Sequence, residues 1–209
     1  MAGRSPRQGA RPAASGPPQR IRIIGGQWKR LLLQVPDLPG LRPTPDRVRE
    51  TLFNWLGQEL DGRHCLDMFA GTGALGFEAA SRGAARVLML EQSRQAAAAL
   101  LASREKLGAA RVEVMTGDAL VFAAALPPAS FDVIFLDPPF ALDLLGPALA
   151  QAARVLKPDG RVYVECGQPV DLMLDAAAGG AASPWEILRQ GRAGQSNHGL
   201  LALGRGAPG

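Results

Sequence analysis

From residue 64 onward the sequence alternates between short apolar runs and helix-forming stretches, and this rhythm leaves few folds open. Cys65–Phe69, Arg86–Glu91, Val112–Thr116, Phe131–Leu136 and Gly160–Glu165 read as buried strands. Between them Gly73–Arg82, the alanine-rich Arg94–Leu107, Ala119–Ala125 and Leu142–Leu156 read as helices. Strand–helix units of this length imply a mainly parallel sheet covered on both faces. After a loose stretch at 170–184, Trp185–Gly191 and His198–Leu203 read as a final strand pair with a short glycine-containing link. The 47% hydrophobic content is enough for one full core, and no apolar run approaches the ~20 residues of a membrane helix.

The first strand runs into Asp67-Met68-Phe69-Ala70-Gly71-Thr72-Gly73-Ala74-Leu75-Gly76. Glycines here let the backbone turn tightly and approach a ligand without Cβ interference. The run satisfies G-x-G-x-x-G, and Glu91 closes the second strand, where an acid can bind ribose hydroxyls. A nicotinamide dinucleotide therefore fits formally. Three other features favour S-adenosylmethionine. Asp67, at the exit of the first strand, suits an ammonium better than a pyrophosphate. Asp118, after the third strand, stands where an adenine amine can be held. The turn after the fourth strand has no role in hydride transfer. Phe69, Ala70, Gly71, Gly73, Gln92 and Ala119 complete the expected cofactor-binding set.

That turn is Asp137-Pro138-Pro139-Phe140, at the carboxyl end of a buried strand, where ligands bind in open α/β sheets. Two prolines fix φ twice and remove two donors, leaving carbonyls free to accept. The Asp137 carboxylate and the Pro138 carbonyl can together grip an amino group, and Phe140 offers a flat face to a planar ring. Such a site suits an exocyclic amine of a nucleobase held for attack on an electrophile. Glu165, ending the fifth strand, stands near the rim as either a substrate contact or an ion-pair partner. His64 and His198 adjoin no catalytic motif and read as structural; no metal site is expected.

The charge is lopsided. Residues 1–50 carry ten Lys or Arg against three acids, whereas 51–209 carry thirteen against sixteen. A basic leader on a neutral-to-acidic domain fits a polyanionic partner. Residues 1–19 lack acids and aromatics and read as a disordered basic tail without a signal-peptide core. Ile21, Ile23 and Leu31-Leu32-Leu33 flank a glycine turn as a hairpin, with Arg22, Lys29, Arg30 and Arg42 facing outwards and Trp28 available for stacking. Thr44 is expected to cap the helix that follows, with Pro45 in its first turn and Arg47, Arg49 and Glu50 away from its apolar face. Arg22, Trp28, Lys29, Arg30, Arg42, Thr44, Arg47 and Arg49 form the candidate substrate-binding set. Cys65 and Cys166 read as reduced core thiols, pointing to a cytosolic chain.

Taken together, Ile21-Arg-Ile-Ile-Gly-Gly-Gln-Trp28, Pro39-Gly-Leu-Arg-Pro-Thr44, Asp46-Arg-Val-Arg-Glu-Thr-Leu-Phe-Asn-Trp-Leu56, the loop Phe69–Gly76 and Asp137-Pro-Pro-Phe140 resemble the RsmD family. These are bacterial 16S rRNA guanine-N2 methyltransferases that use S-adenosylmethionine. The loop and the Asp-Pro-Pro-Phe turn are common to many amino-methyltransferases; stretch 21–56 is what specifies this family. The resemblance implies a Rossmann-like class I methyltransferase sheet, an α/β fold, with an N-terminal β-hairpin extension that helps hold rRNA. The resemblance covers roughly residues 20–204, with an RNA-binding hairpin and linking helix expected at 20–57 and a methyltransferase domain at 58–209, and the tail at 1–19 departs from the family. It further implies that Asp137 and the Pro138 carbonyl bind the guanine amine while Phe140 packs on the base. The implied partner is 16S rRNA within an assembled or assembling small ribosomal subunit; a cytoplasmic monomer is the default expectation. A DNA amino-methyltransferase would share the chemistry but needs a sizeable target-recognition domain. An NAD(P) oxidoreductase lacks an evident hydride-transfer acid or base. A non-catalytic RNA-binding module would have little reason to keep acids after four successive strands.

Overall fold

In a computed structural model, which describes residues 20–36, 38, 41, 43–140 and 143–204, the chain forms nine strands and six helices among those residues. In order they are β1 (Arg20–Arg22), β2 (Leu32–Gln34), α1 (Asp46–Leu56), β3 (His64–Asp67), α2 (Ala74–Ser81), β4 (Arg86–Glu91) and α3 (Arg94–Leu107). Then follow β5 (Val112–Thr116), α4 (Ala119–Ala125), β6 (Phe131–Leu136), α5 (Leu145–Val155), β7 (Leu156–Cys166), α6 (Val170–Ala178), β8 (Trp185–Ala193) and β9 (Ser196–Leu203). None of the described helices is long and apolar enough to cross a membrane.

Seven strands make one sheet in the order β5-β4-β3-β6-β7-β9-β8. The first five are parallel; β9 runs antiparallel between β7 and β8. From β3 the chain builds outward through β4 and β5, then returns to place β6 on the other side of β3. The strand order reverses between β3 and β6, opening a crevice beyond their carboxyl ends. Side chains alternate across the sheet with period two. Cys65, Val87, Val133, Phe135 and Tyr163 pack against α1, α2, α3 and the β1–β2 hairpin. Leu66, Leu88, Ile134, Leu136 and Val164 pack against α4, α5 and α6.

The β1–β2 hairpin is welded to the core. Ile21, Ile23, Trp28, Leu33 and Val35 are buried in the same cluster as Phe53 and Phe77. Its underside is α2, every residue of which is buried. A helix enclosed all round can be met closely only through small residues, and Ala-Leu-Gly-Phe-Glu-Ala-Ala-Ser supplies them. Gly26 sits at φ +72°, and a Cβ there would collide with the Ser81 carbonyl. Gln27 N–H donates to that carbonyl at 2.7 Å. The buried acid of α2, Glu78, accepts from Ile24 N–H and Gly25 N–H at 2.8 Å each, and from Arg49 and Arg82.

Three expectations change. The stretch at 170–184 contains α6, begun by Pro169 and ended by left-handed Gly179, with Val170, Met173 and Leu174 forming its buried stripe. β7 starts at Leu156, four residues early, because Phe131 pairs with Leu156 before a register shift admits Val133 opposite Arg161. Thr44 does not cap α1: Pro45 holds the N-cap position and no side chain caps the helix. The tail at 1–19, Arg42, and the start proposed for the helix at Leu142 lie outside the described residues.

Candidate active site

The crevice is a cleft of about 1120 Å³. The glycine-rich loop forms its floor. Main-chain bonds splice that loop into the sheet: Met68 N–H to the Phe135 carbonyl, and Ala70 N–H to the Leu90 carbonyl at 3.0 Å. Gly73 is at φ +78°, and a Cβ there would lie 2.6 Å from Leu100 and 2.7 Å from Phe77. Its role is therefore conformational, and it does not itself reach the cleft wall. Phe69, Ala70 and Gly71 do.

Asp67 lines the cleft from the end of β3 with 2% of its surface exposed, and accepts from Gly76 N–H at 3.0 Å. Burial pushes its carboxyl up to about 7, against the opposing effect of the Gly76 and Phe69 amides. A cation placed beside it would restore the carboxylate. Glu91 ends β4 and accepts from Gly71 N–H at 2.8 Å and Ser93 N–H at 2.7 Å, one bond per oxygen. Each oxygen keeps a lone pair for a further donor. Asp118 spends one oxygen, Oδ1, capping α4 through Leu120 and Val121 N–H, and its other oxygen is free of these bonds. Gln92 and Ala119 line the cleft beside them.

Opposite the loop, β6 delivers Asp137, Pro138, Pro139 and Phe140 into the same cleft. Asp137 is half-buried, Pro138 buried, and Phe140 54% exposed at the mouth. Burial, with the charges of Glu165 and Asp67 adding, holds Asp137 well above the usual carboxylate range. Thr44 Oγ1 donates to Asp137 Oδ2 at 3.5 Å, which is why that hydroxyl is not on the helix cap. Glu165 is not on the rim. It is buried, accepting from Tyr163 Oη at 3.0 Å and Ser196 Oγ at 3.2 Å, with no ion pair among the described residues.

The leader separates into two groups. Trp28 is 6% exposed in the core and presents no face to a base. Arg49 is 1% exposed, its guanidinium spent on Glu78, Asp46 and the Thr44 and Arg22 carbonyls, so it is no phosphate contact. Lys29, Arg30 and Arg47 are exposed, and Arg22 is exposed but paired with Asp46 at 2.9 Å. Of the described members of that set, Thr44 alone lines the cleft. Sequence reading missed Arg192, Gln195 and Ser196, carried to the cleft by the β8–β9 hairpin. His198 lies tilted between the Trp55 and Tyr163 rings, its Nδ1 without a hydrogen-bond partner among the described residues, and burial, with the Arg47 charge, lowers its proton affinity.

Residues 21–201 match the family model described as conserved hypothetical protein 95. The chain is 40% identical to ribosomal RNA small subunit methyltransferase D of Escherichia coli over 88% of its length and 90% of that protein. It is 43% identical to the Haemophilus influenzae protein of the same name, over 69% of this chain and 78% of that one. Among solved structures it resembles "Putative methyltransferase yhhF" from Escherichia coli. The TM-score is 0.74 at 37% identity, covering 88% of this chain and 98% of that one.

Proposed function

Since the chain belongs to the conserved hypothetical protein 95 family, the RsmD family of methyltransferases, we propose that it transfers a methyl group from S-adenosylmethionine to the exocyclic N2 amine of a guanine in 16S rRNA. The observation that carries this reading is the meeting of two halves in one cleft: a glycine-rich loop with three separately placed acids, and Asp137-Pro138-Pro139-Phe140 facing it. The acids fit the cofactor. Asp67 suits its ammonium, Glu91 its ribose hydroxyls and Asp118 its adenine amine. When bound, S-adenosylmethionine supplies an electrophilic methyl carbon on a sulfonium.

The chain's own residues do the rest. The guanine amine is a poor nucleophile because its lone pair is delocalised into the ring. Asp137 and the Pro138 carbonyl accept its two N–H bonds and fix where the nitrogen sits for attack, and this positioning supplies much of the rate. As the N–C bond forms and the S–C bond breaks, positive charge develops on nitrogen, and Asp137 stabilises it at close range. The proton then leaves to Asp137 or to water. A base must leave its stack to enter the cleft, and Phe140 at the mouth replaces part of the lost stacking. Lys29, Arg30 and Arg47 are free to meet phosphates. We assign the reaction to a cytoplasmic monomer acting on the assembled or assembling small subunit.

The test is transfer of labelled methyl from S-adenosylmethionine to small subunits lacking the modification, to free 16S rRNA and to duplex DNA, with the product nucleoside identified by mass spectrometry. N2-methylguanosine from the ribosomal substrates is expected. Methyladenine from DNA, or no transfer to any of the three, overturns the reading.

A further inference from the structure

The cleft holds one more acid than amine transfer requires. Glu165 and Asp137 stand one residue beyond Val164 and Leu136, which are directly paired across parallel strands β7 and β6. The two carboxylates therefore leave equivalent places on strands about 4.8 Å apart and face the same cleft. Glu165 is 5% exposed, and its neighbours are donors rather than cations: Tyr163 Oη on Oε1 and Ser196 Oγ on Oε2. A carboxylate offers about four lone-pair positions, so two remain for an incoming group. Burying an acid without a cation is costly. Burial raises the proton affinity of Glu165, and hydrogen bonds from Tyr163 and Ser196 only partly offset this. A substrate bringing two adjacent hydrogen-bond donors would satisfy both acids at once.

We propose that Glu165 accepts the ring N1–H of the target base and so selects guanine. The inference rests on the guanine-N2 reading above and names the residue that enforces it. The amine-bearing bases differ at the ring nitrogen beside the amine. Guanine carries N1–H on the Watson–Crick side of its amine, a donor; adenine and cytosine carry a bare nitrogen on that side, an acceptor. With the amine on Asp137, Glu165 meets the adjacent ring position. Guanine completes a second hydrogen bond, whereas adenine or cytosine sets a lone pair against a buried carboxylate. Tyr163 and Ser196 fix the Glu165 rotamer and leave its outward lone pairs to the base.

The experiment uses the full-length enzyme with S-adenosylmethionine and small-subunit RNA carrying guanine or 2-aminopurine at the methylated position. 2-Aminopurine keeps the 2-amine but presents N1 as an acceptor. The wild type should favour guanine by roughly 100-fold or more in kcat/KM, the discrimination expected of a site built for a donor. Glu165→Gln keeps an oxygen for Tyr163 but presents an N–H to the base. It should lower that preference at least tenfold, partly by gaining activity on 2-aminopurine. Glu165→Asp, which withdraws the carboxylate, should lose activity on guanine without that gain. A merely structural Glu165 would move both substrates in proportion, and that result, or a wild type indifferent to the two bases, overturns the proposal. A wild type that methylates no guanine removes the underlying reading instead, and this inference with it.

Discussion

Replacing Glu78 with glutamine removes the one acid at the seam between the β1–β2 hairpin and α2. Its Oε2 accepts from Ile24 N–H at 2.8 Å and Arg49 at 3.2 Å; its Oε1 accepts from Gly25 N–H at 2.8 Å and Arg82 at 2.8 Å. Glutamine keeps one oxygen and turns the other into an N–H₂ group facing two donors. One backbone N–H and one guanidinium N–H then lose their acceptor, and Arg49, 1% exposed, keeps only Asp46 as a counter-charge. Breaking a buried pair by removing one partner costs about 3–5 kcal/mol. A chain of this size loses roughly 2–4 °C of Tm per kcal/mol, so a fall of about 6–20 °C is expected in thermal unfolding followed by circular dichroism. Hydrogen exchange should quicken at Ile24 and Gly25 before it does in β3 or β4. A Tm within about 2 °C of wild type, which is under 1 kcal/mol, would refute the reasoning.

The cofactor site should respond to pH through Asp67. Its carboxyl stands at about 7 in the folded chain against 3.8 for the free group, so the folded chain holds the proton more tightly than the unfolded chain does. The stability this contributes is full below about pH 4 and lost as pH rises through about 7, while an ammonium needs the carboxylate. S-Adenosylmethionine affinity, measured by calorimetry, should therefore rise with pH and level off only above about pH 7, where Asp67 is ionised, and Asp67→Asn should flatten the rise. Phe140→Ala should cut kcat/KM on RNA by about 5- to 150-fold, the worth of one lost base–aromatic stack, with Tm unchanged because the ring is already 54% exposed. A drop in Tm with unaltered kinetics would assign Phe140 to packing instead.

The parallel sheet was legible because its strands are apolar runs punctuated by glycine, and β4, β5 and β6 fall where the sequence places them. The loop and the Asp-Pro-Pro-Phe turn were equally local signals, each read from consecutive residues. What sequence hid was long-range pairing. Arg49 looked like a surface charge because its partner Glu78 is 29 residues away on a helix buried on every side. Thr44 looked like a helix cap because Thr-Pro-Asp is a plausible helix start, yet its hydroxyl is taken by Asp137, 93 residues on. Trp28 carried no signal separating a stacking platform from core. Ser196 reaches Glu165 only because β9 inserts antiparallel beside β7. The α6 stripe Val170, Met173, Leu174 was visible at helical spacing but was masked by the glycines and alanines that follow it.

The central claim is that Asp137 holds the amine for methyl transfer. The measurement that meets it most directly is single-turnover methylation of the ribosomal substrate by Asp137→Ala, alongside calorimetric binding of S-adenosylmethionine to the same variant. Because Asp137 sits among other acids, its removal relieves repulsion and the variant should stay folded. The account predicts a loss of about 100-fold or more in the chemical step, with cofactor affinity within roughly threefold of wild type. Methyl transfer at the wild-type rate by a folded, cofactor-bound Asp137→Ala enzyme would contradict it.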